Sequence, residues 1–305
     1  VQTTNRLYQY ALNDKSWSWL VDLFETGMPE SLKSIHRYMF QQQVPRVPLF
    51  MRMDQPSFSV AVEAQTPGSG WGYHAALAGC YQGHQVLGRQ FVQRVARHLR
   101  ALTGKQRPRV VHLLHKYQFY GAEAAYFAKD IRDQGIDFDI SIQEIPENIA
   151  SYDVVFRHYL EELIQYDGWE GLLELYQQGD IEIEPPPSVL TDHKVATMLP
   201  YHPRTFMLYS DAVRQLFPPT YLVDPYSTLV VAQERGGTAH LRLPDIAVLG
   251  TKQRQFTLKY AGLDPQLRAG GKGVLHLDIR NKVRAAQLIN GAISDTCFAN
   301  PWLIQ

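Results

Sequence analysis

The residues whose types and spacing point most directly to chemistry lie in one stretch, Phe256–Leu275, FTLKYAGLDPQLRAGGKGVL. Phe256, Leu258 and Tyr260 alternate with Thr257 and Lys259, the period-2 pattern of a half-buried strand. Val274, Leu275, His276 and Leu277 begin a second strand, and Gly262, Gly270, Gly271 and Gly273 lie between, with Lys272 inside the last cluster. Glycines let backbone N–H groups turn toward an anion, and lysines bring mobile positive charge. The combination suits a polyphosphate; it equally describes an ordinary hairpin whose lysines face water. A strand-to-helix P-loop is excluded, because Lys272 is followed by Gly273 and a strand pattern rather than by Ser or Thr and a helix. No G-x-G-x-x-G opens a helix elsewhere, so a nucleotide bound here would lie under a glycine flap between strands.

Three further groups carry charge in suggestive places. Arg52 and Asp54 share one face of an expected strand, and Glu63 ends a second, two residues before Gln65 and the loop Pro67–Gly70. A carboxylate and an amide oxygen two apart can reach one hard cation such as Mg²⁺, or simply face water before a turn. Lys194 opens an expected helix, where a cation opposes the helix dipole unless an anion compensates; ligand phosphate or Asp192 would serve. His115, Lys116, Tyr117 and Gln118 follow one buried strand and Arg157 and His158 another, the ends at which parallel sheets bind small molecules. Arg157 suits a bidentate clamp on a substrate carboxylate, or a structural salt bridge.

The elements that position these groups can be read along the chain. Helices are expected over residues 1 to about 42, the second from about Pro29 to Gln42 with Leu32, Ile35, His36 and Met39 inward and His36 at the core edge or surface. Two short strands are expected around a Gln55-Pro56-Ser57 turn, the second through Phe58, Val60 and Val62. A helical region from Ala75 to Leu102 follows. RVVHLLHK, GAEAAYFAKDIRDQG and IDFDISIQEI then form a β-α-β unit, with a further strand and helix in YDVVFRHYLEELI. Gly135 and Gly179 mark helix ends. Thr191 or Asp192 is expected to cap the helix at Lys194, a helix is expected over Leu208–Leu216 and a strand over Thr220–Val223, and the tract carrying Gly236 and Gly237 reads as solvated.

The 305 residues allow two or three lobes, with an ordinary 45% hydrophobic and 20% charged content. A formal net charge of zero argues against a nucleic-acid footprint. Two cysteines, Cys80 and Cys297, do not make a disulfide framework. With no long apolar window and no signal-peptide pattern, no membrane partner and a cytoplasmic location are expected.

Several of these segments stand in an order that resembles the ATP-grasp enzymes. IEIEPPPSVLTDHK is similar to the approach to their first nucleotide-binding lysine, and FPPTYLV to the strand entry after it. FTLKYAGLDPQLRAGGKGV resembles their second lysine strand and glycine-rich flap, and ANPWLIQ the strand leading to the hinge on the adenine. RMD and VEAQTPGSG resemble the metal-binding segment of circularly permuted members, the eukaryote-type glutathione synthetases and glutathionylspermidine synthetases. Matches run from about residue 49 to the end, and their order carries the resemblance.

The resemblance implies an α/β, ATP-grasp-like fold with a β-α-β (pre-ATP-grasp-like) substrate lobe and a glycine-rich lid. The segments would be 1–107, with the N-terminal helices and metal-binding strand pair; 108–190, the substrate lobe; 191–255, the first nucleotide-binding part; and 256–305, the lid strands and start of the adenine hinge. It places Lys194, Lys259, Gly270, Gly271, Lys272, Gly273 and Gln305 on ATP, and Glu63 and Gln65 on Mg²⁺, with Gln65 where the pattern has asparagine. Arg52 and Lys272 would act on the transferred phosphoryl group; His115, Lys116 and Arg157 would face substrate. The implied reaction is ATP-dependent ligation of a small amino-acid- or peptide-like carboxylate to an amine or thiol through an acyl phosphate, with a homodimer left open. A noncatalytic relative acting as a nucleotide-binding or scaffold protein, or a nucleotide-sugar transferase built on the β-α-β lobe, are the alternatives. The pattern continues past Gln305 with further strands, so a sheet ending there is expected to leave an open edge.

Overall fold

The structure is a computed structural model that describes residues 2–42, 46–49, 52–54, 63–65, 70–80, 88–115, 117–158, 160–188, 190, 193–224, 228–232, 238–262, 273–297 and 301–305. In chain order the elements are α1 (Gln2–Asn13), α2 (Ser18–Glu25), α3 (Glu30–Gln42), β1 (Arg52–Asp54), β2 (Glu63–Gln65), α4 (Trp71–Cys80), α5 (Gly88–Thr103), β3 (Arg109–Leu114), α6 (Tyr117–Arg132) and β4 (Asp137–Ile142). Then come β5 (Val154–Phe156), α7 (Leu160–Leu163), α8 (Trp169–Gln178), β6 (Glu182–Glu184), α9 (Asp211–Leu216), β7 (Tyr221–Leu222), β8 (Thr228–Ala232), β9 (Thr238–Arg242), α10 (Leu243–Val248), β10 (Thr257–Tyr260), β11 (Val274–His276), α11 (Lys282–Cys297) and β12 (Trp302–Ile304). The chain is a mixed α/β protein with, among the described residues, one parallel sheet and three antiparallel or two-stranded ones. It divides into two compact units: the first comprises Val1–Lys33, Met53–Ala64 and His193–Gln305, the second Ser34–Arg52 and Gln65–Asp192. No helix among the described residues is long and apolar enough to cross a membrane.

The second unit is built on a parallel sheet in the order β4-β3-β5-β6. β3 is apolar on both faces and buried over five of its six residues, as a central parallel strand must be. One face packs Val110, Phe138, Val154 and Phe156 against Trp71 of α4, Val92, Val95 and Leu99 of α5, and Phe127 and Ile131 of α6. The spacing of three and four between those α5 residues is what turns them to one side. α4 approaches α6 so closely that a Cβ on Gly72 would lie 2.1 Å from the Glu123 carbonyl oxygen, which leaves room only for glycine. Gly135 and Gly179 take left-handed conformations at the ends of α6 and α8, as expected. At β6, the buried Glu184 accepts from Arg46 and, at 2.7 Å, from the Leu49 N–H. His36 departs from its expected edge position: it is fully buried beside Phe40, and burial, with Arg37 adding repulsion, lowers its pKa to about 3.

The first unit holds an antiparallel sheet ordered β11-β10-β12-β7. β12 therefore pairs on both sides, with β10 and β7, and is an inner strand rather than the expected open edge. One sheet face packs Leu258, Tyr260, Trp302 and Ile304 on Leu243 and Ile246 of α10 and Ile289 and Ala292 of α11. α11 also fixes β12 by polar contacts, since Thr296 Oγ1 accepts from the Trp302 N–H and Asp295 from the indole N–H, both at 3.1 Å. Arg254 is fully buried and donates to the carbonyls of Leu277 (3.1 Å), Ala247 (3.3 Å), Leu249 (2.6 Å) and Ile279, tying the end of α10 to the end of β11.

Three local expectations change here. The tract expected to be solvated forms the antiparallel ladder β8–β9, with Leu229 buried; Gly236 and Gly237 lie outside the described residues. The helix expected over Leu208–Leu216 is a 3₁₀ turn, Phe206–Leu208, followed by α9, whose Ser210 caps the Val213 N–H. Lys194 begins a 3₁₀ turn, Lys194–Thr197, and its cap is His193, whose Nδ1 accepts from the Val195 N–H at 3.3 Å; Thr191 and Asp192 lie outside the described residues. Near residue 55, β1 pairs with β2 in a two-stranded sheet; the expected turn at Gln55-Pro56-Ser57 and strand through Phe58, Val60 and Val62 lie outside the described residues.

Candidate functional site

The antiparallel sheet of the first unit sorts its residues by register. Leu258 pairs with Leu275 and Ile304, and this row faces the core. The flanking rows, Val274–Lys259–Leu303 and His276–Thr257, have side chains on the opposite face because alternate residues along a strand point oppositely. Lys259 is half-buried there, and the Gly273 carbonyl next to Val274 accepts from the Tyr260 N–H at 2.7 Å. The glycine nearest the lysine is therefore fixed in the ladder itself.

Gln305 joins the same face. Its main chain exchanges two hydrogen bonds with Thr257, at 2.9 and 3.0 Å, and its amide Nε2 donates to Thr220 Oγ1 at 2.9 Å. Thr257 Oγ1 in turn lies 3.2 Å from His276 Nδ1. A polar row of Thr220, Gln305, Thr257 and His276 thus runs beside Lys259. Lys194 belongs to the same unit but to a separate element; it is half-buried, and its carbonyl accepts from Thr197 Oγ1 at 2.7 Å. Gly270, Gly271 and Lys272 lie outside the described residues. Arg52 opens β1, and Glu63 and Gln65 bound β2; these three are described as backbone only.

A second constellation sits in the other unit, toward the carboxyl ends of β3 and β5, with His112 inside β3 level with the last residue of β5. In the order β4-β3-β5-β6 the chain reverses its direction of growth at β3, so the crevice between β3 and β5 is the switch point of the sheet. His112 and His158 are each 2% exposed, with ring centroids 5.0 Å apart. Tyr120, in the first turn of α6, meets His158 edge-on at 4.6 Å. Glu162 of α7 lies 3.5 Å from His158 Nδ1, and His115, half-buried, lies 5.6 Å from the Tyr166 ring. Burial, reinforced by the neighbouring His158, holds the His112 pKa far below the usual imidazole range, so that ring is neutral. Burial and then Glu162 push the Tyr166 hydroxyl well up, so it stays protonated.

Arg157 is turned toward the main chain. Its guanidinium is 1% exposed and donates to the main-chain carbonyls of Pro185 (2.9 Å), His158 (2.7 Å) and Pro186 (2.7 Å). It braces the turn after β6. Lys116 lies outside the described residues.

No protein-family model matches this chain, and no curated protein matches it.

Functional assignment therefore rests on the residues themselves. Sequence reasoning reached His115 and His158 from the strand ends but missed His112, Tyr120, Glu162 and Tyr166. One signal was available: His158 and Glu162 are four apart, a spacing that brings side chains together once the segment is helical. Among the described residues no group of three or more His, Cys, Asp or Glu is placed to hold a metal ion.

Proposed function

We propose that the chain is an ATP-dependent ligase of the ATP-grasp type, joining a small amino-acid- or peptide-like carboxylate to an amine or thiol. The observation that carries the reading is the place of Lys259. It stands on the non-core face of β10, directly across the hairpin from Val274, where the glycine-rich connection re-enters the sheet, and beside the polar row that ends in Gln305. A half-buried ammonium there suits a polyphosphate, because charge–phosphate contacts strengthen away from bulk water. Lys194 would supply the second ammonium, and Gly270, Gly271, Lys272 and Gly273 the cover over the phosphates. Glu63 and Gln65, two apart in β2, are the residues that would hold Mg²⁺, which when bound neutralises charge on the phosphate oxygens.

The chemistry asked of these residues is modest. A substrate carboxylate oxygen attacks the γ-phosphorus and ADP leaves; the amine or thiol then attacks the acyl carbon and phosphate leaves. Phosphoryl transfer needs positioning and charge neutralisation rather than covalent help from the protein, which lysines and Arg52 supply. A glycine cover serves the second step by excluding water from the acyl phosphate.

Hydroxylamine trapping tests the reading. With ATP, Mg²⁺ and a panel of amino acids and short peptides, the reading requires one carboxylate to give a hydroxamate together with stoichiometric ADP. ATP binding without hydroxamate from any member of the panel would assign the chain to the nucleotide-binding scaffolds instead.

A further inference from the structure

We propose that the second unit binds an oxyanion of a small molecule, a carboxylate or a phosphate group, in the crevice toward the carboxyl ends of β3 and β5, with His158 and His112 as hydrogen-bond donors. The proposal stands apart from the nucleotide reading of the first unit.

Three observations converge on it. The crevice is the switch point of a parallel sheet, where the strand connections diverge to opposite sides and small molecules commonly bind. It lies at the N-terminus of α6, a 16-residue helix whose first-turn N–H groups have no intrahelical acceptors; Tyr120, in that turn, packs against His158. Finally, both ring nitrogens of His112, both of His158 and the Tyr166 hydroxyl are shielded from solvent and make no hydrogen bond within the protein. Buried polar atoms are nearly always hydrogen-bonded, and several orphans gathered at one strand end are what a ligand site looks like without its ligand.

The surrounding charges define what fits. Glu162 lies 3.5 Å from His158 Nδ1, and Nε2 on the far edge of that ring is the nitrogen left to donate to an oxyanion. The neutral His112 ring and the Tyr166 hydroxyl contribute one N–H and one O–H. With the Glu162 carboxylate nearby, the site suits a single negative charge rather than a polyphosphate. The expected ligand bears one oxyanion.

The test follows histidine ring resonances and melting temperature of the full chain, without nucleotide, as acetate or inorganic phosphate is added. Two histidines should shift saturably, and the same ion should raise the melting temperature. A response to acetate alone names a carboxylate, and a response to phosphate alone names a phosphate. His158→Leu, close in volume and free of unpaired nitrogens, should fold with an unchanged or higher melting temperature and lose the response. Either of two results overturns the proposal: no saturable response to either ion, which assigns the histidines to buried water, or an equal response in His158→Leu. Because no nucleotide is present, neither result bears on ATP binding by the first unit.

Discussion

Replacing Arg254 by methionine should destabilise the first unit by about 3 kcal/mol. Arg254 is fully buried and serves four carbonyls, of which the bonds to Leu277 and Ala247 are wholly buried. Methionine fills much of the same space but leaves those carbonyls without donors, at roughly 1–3 kcal/mol each. Against this, the variant no longer carries a buried charge, whose desolvation costs several kcal/mol and is offset in the native protein only by good hydrogen bonds. The balance should still favour arginine, because the guanidinium matches four acceptors in fixed directions; Arg254→Lys, with three donors on a flexible stem, should fall between. Hydrogen exchange across α10 and β11, with urea unfolding of each protein, measures the effect: protection should drop there before it drops in the parallel sheet. If Arg254→Met were as stable as the native chain, desolvation would outweigh the carbonyl bonds, and the residue would not be the brace described.

Other consequences are directly measurable. Gly72→Ala places a Cβ 2.1 Å from the Glu123 carbonyl oxygen and should cost about 1–3 kcal/mol in urea unfolding, by forcing α4 away from α6. His112→Leu removes two unpaired buried nitrogens and should stabilise the second unit by about 1 kcal/mol, read as a higher urea midpoint at unchanged m-value. His36 has a folded pKa near 3 against 6.5 in the unfolded chain, so below pH 6.5 only the unfolded state takes up its proton. Its contribution is complete above pH 6.5 and falls as pH drops toward 3. Between pH 6.5 and 5 the native protein should lose roughly 1.6 kcal/mol more than His36→Phe, as the slope rises from half toward all of about 1.4 kcal/mol per pH unit; parallel curves would contradict a neutral buried ring.

Much of the fold was legible because the sequence pattern and the burial agree. The buried run of β3 and the period of β10 could be read directly, as could the helix stops at Gly135 and Gly179, because each follows from local chemistry. The ladder β8–β9 was hidden because the polar residues of this tract carry no clear alternation, and only the pairing of Thr228–Ala232 with Thr238–Arg242 shows the strands. Position within a sheet was not legible either: nothing local to Trp302–Ile304 says that β12 is an inner strand, since that depends on partners some 45 and 80 residues earlier. The same limit governs the sites. Lys259 announces itself by strand alternation and nearby glycines, whereas His112 sits inside an apolar strand and gains its meaning only when β5 brings His158 beside it. Arg157 shows the converse, a well-placed cation whose donors go to main-chain carbonyls that no sequence pattern announces.

The most direct test of the account is isothermal titration of ATP and a nonhydrolysable analogue into the full chain, with and without Mg²⁺, for the native protein and Lys259→Ala. The account predicts micromolar binding strengthened by Mg²⁺ and weakened by roughly tenfold or more in the variant, the equivalent of one lost charged contact of about 1.5–3 kcal/mol. Absence of binding by the folded native chain, or equal binding by Lys259→Ala, would contradict it.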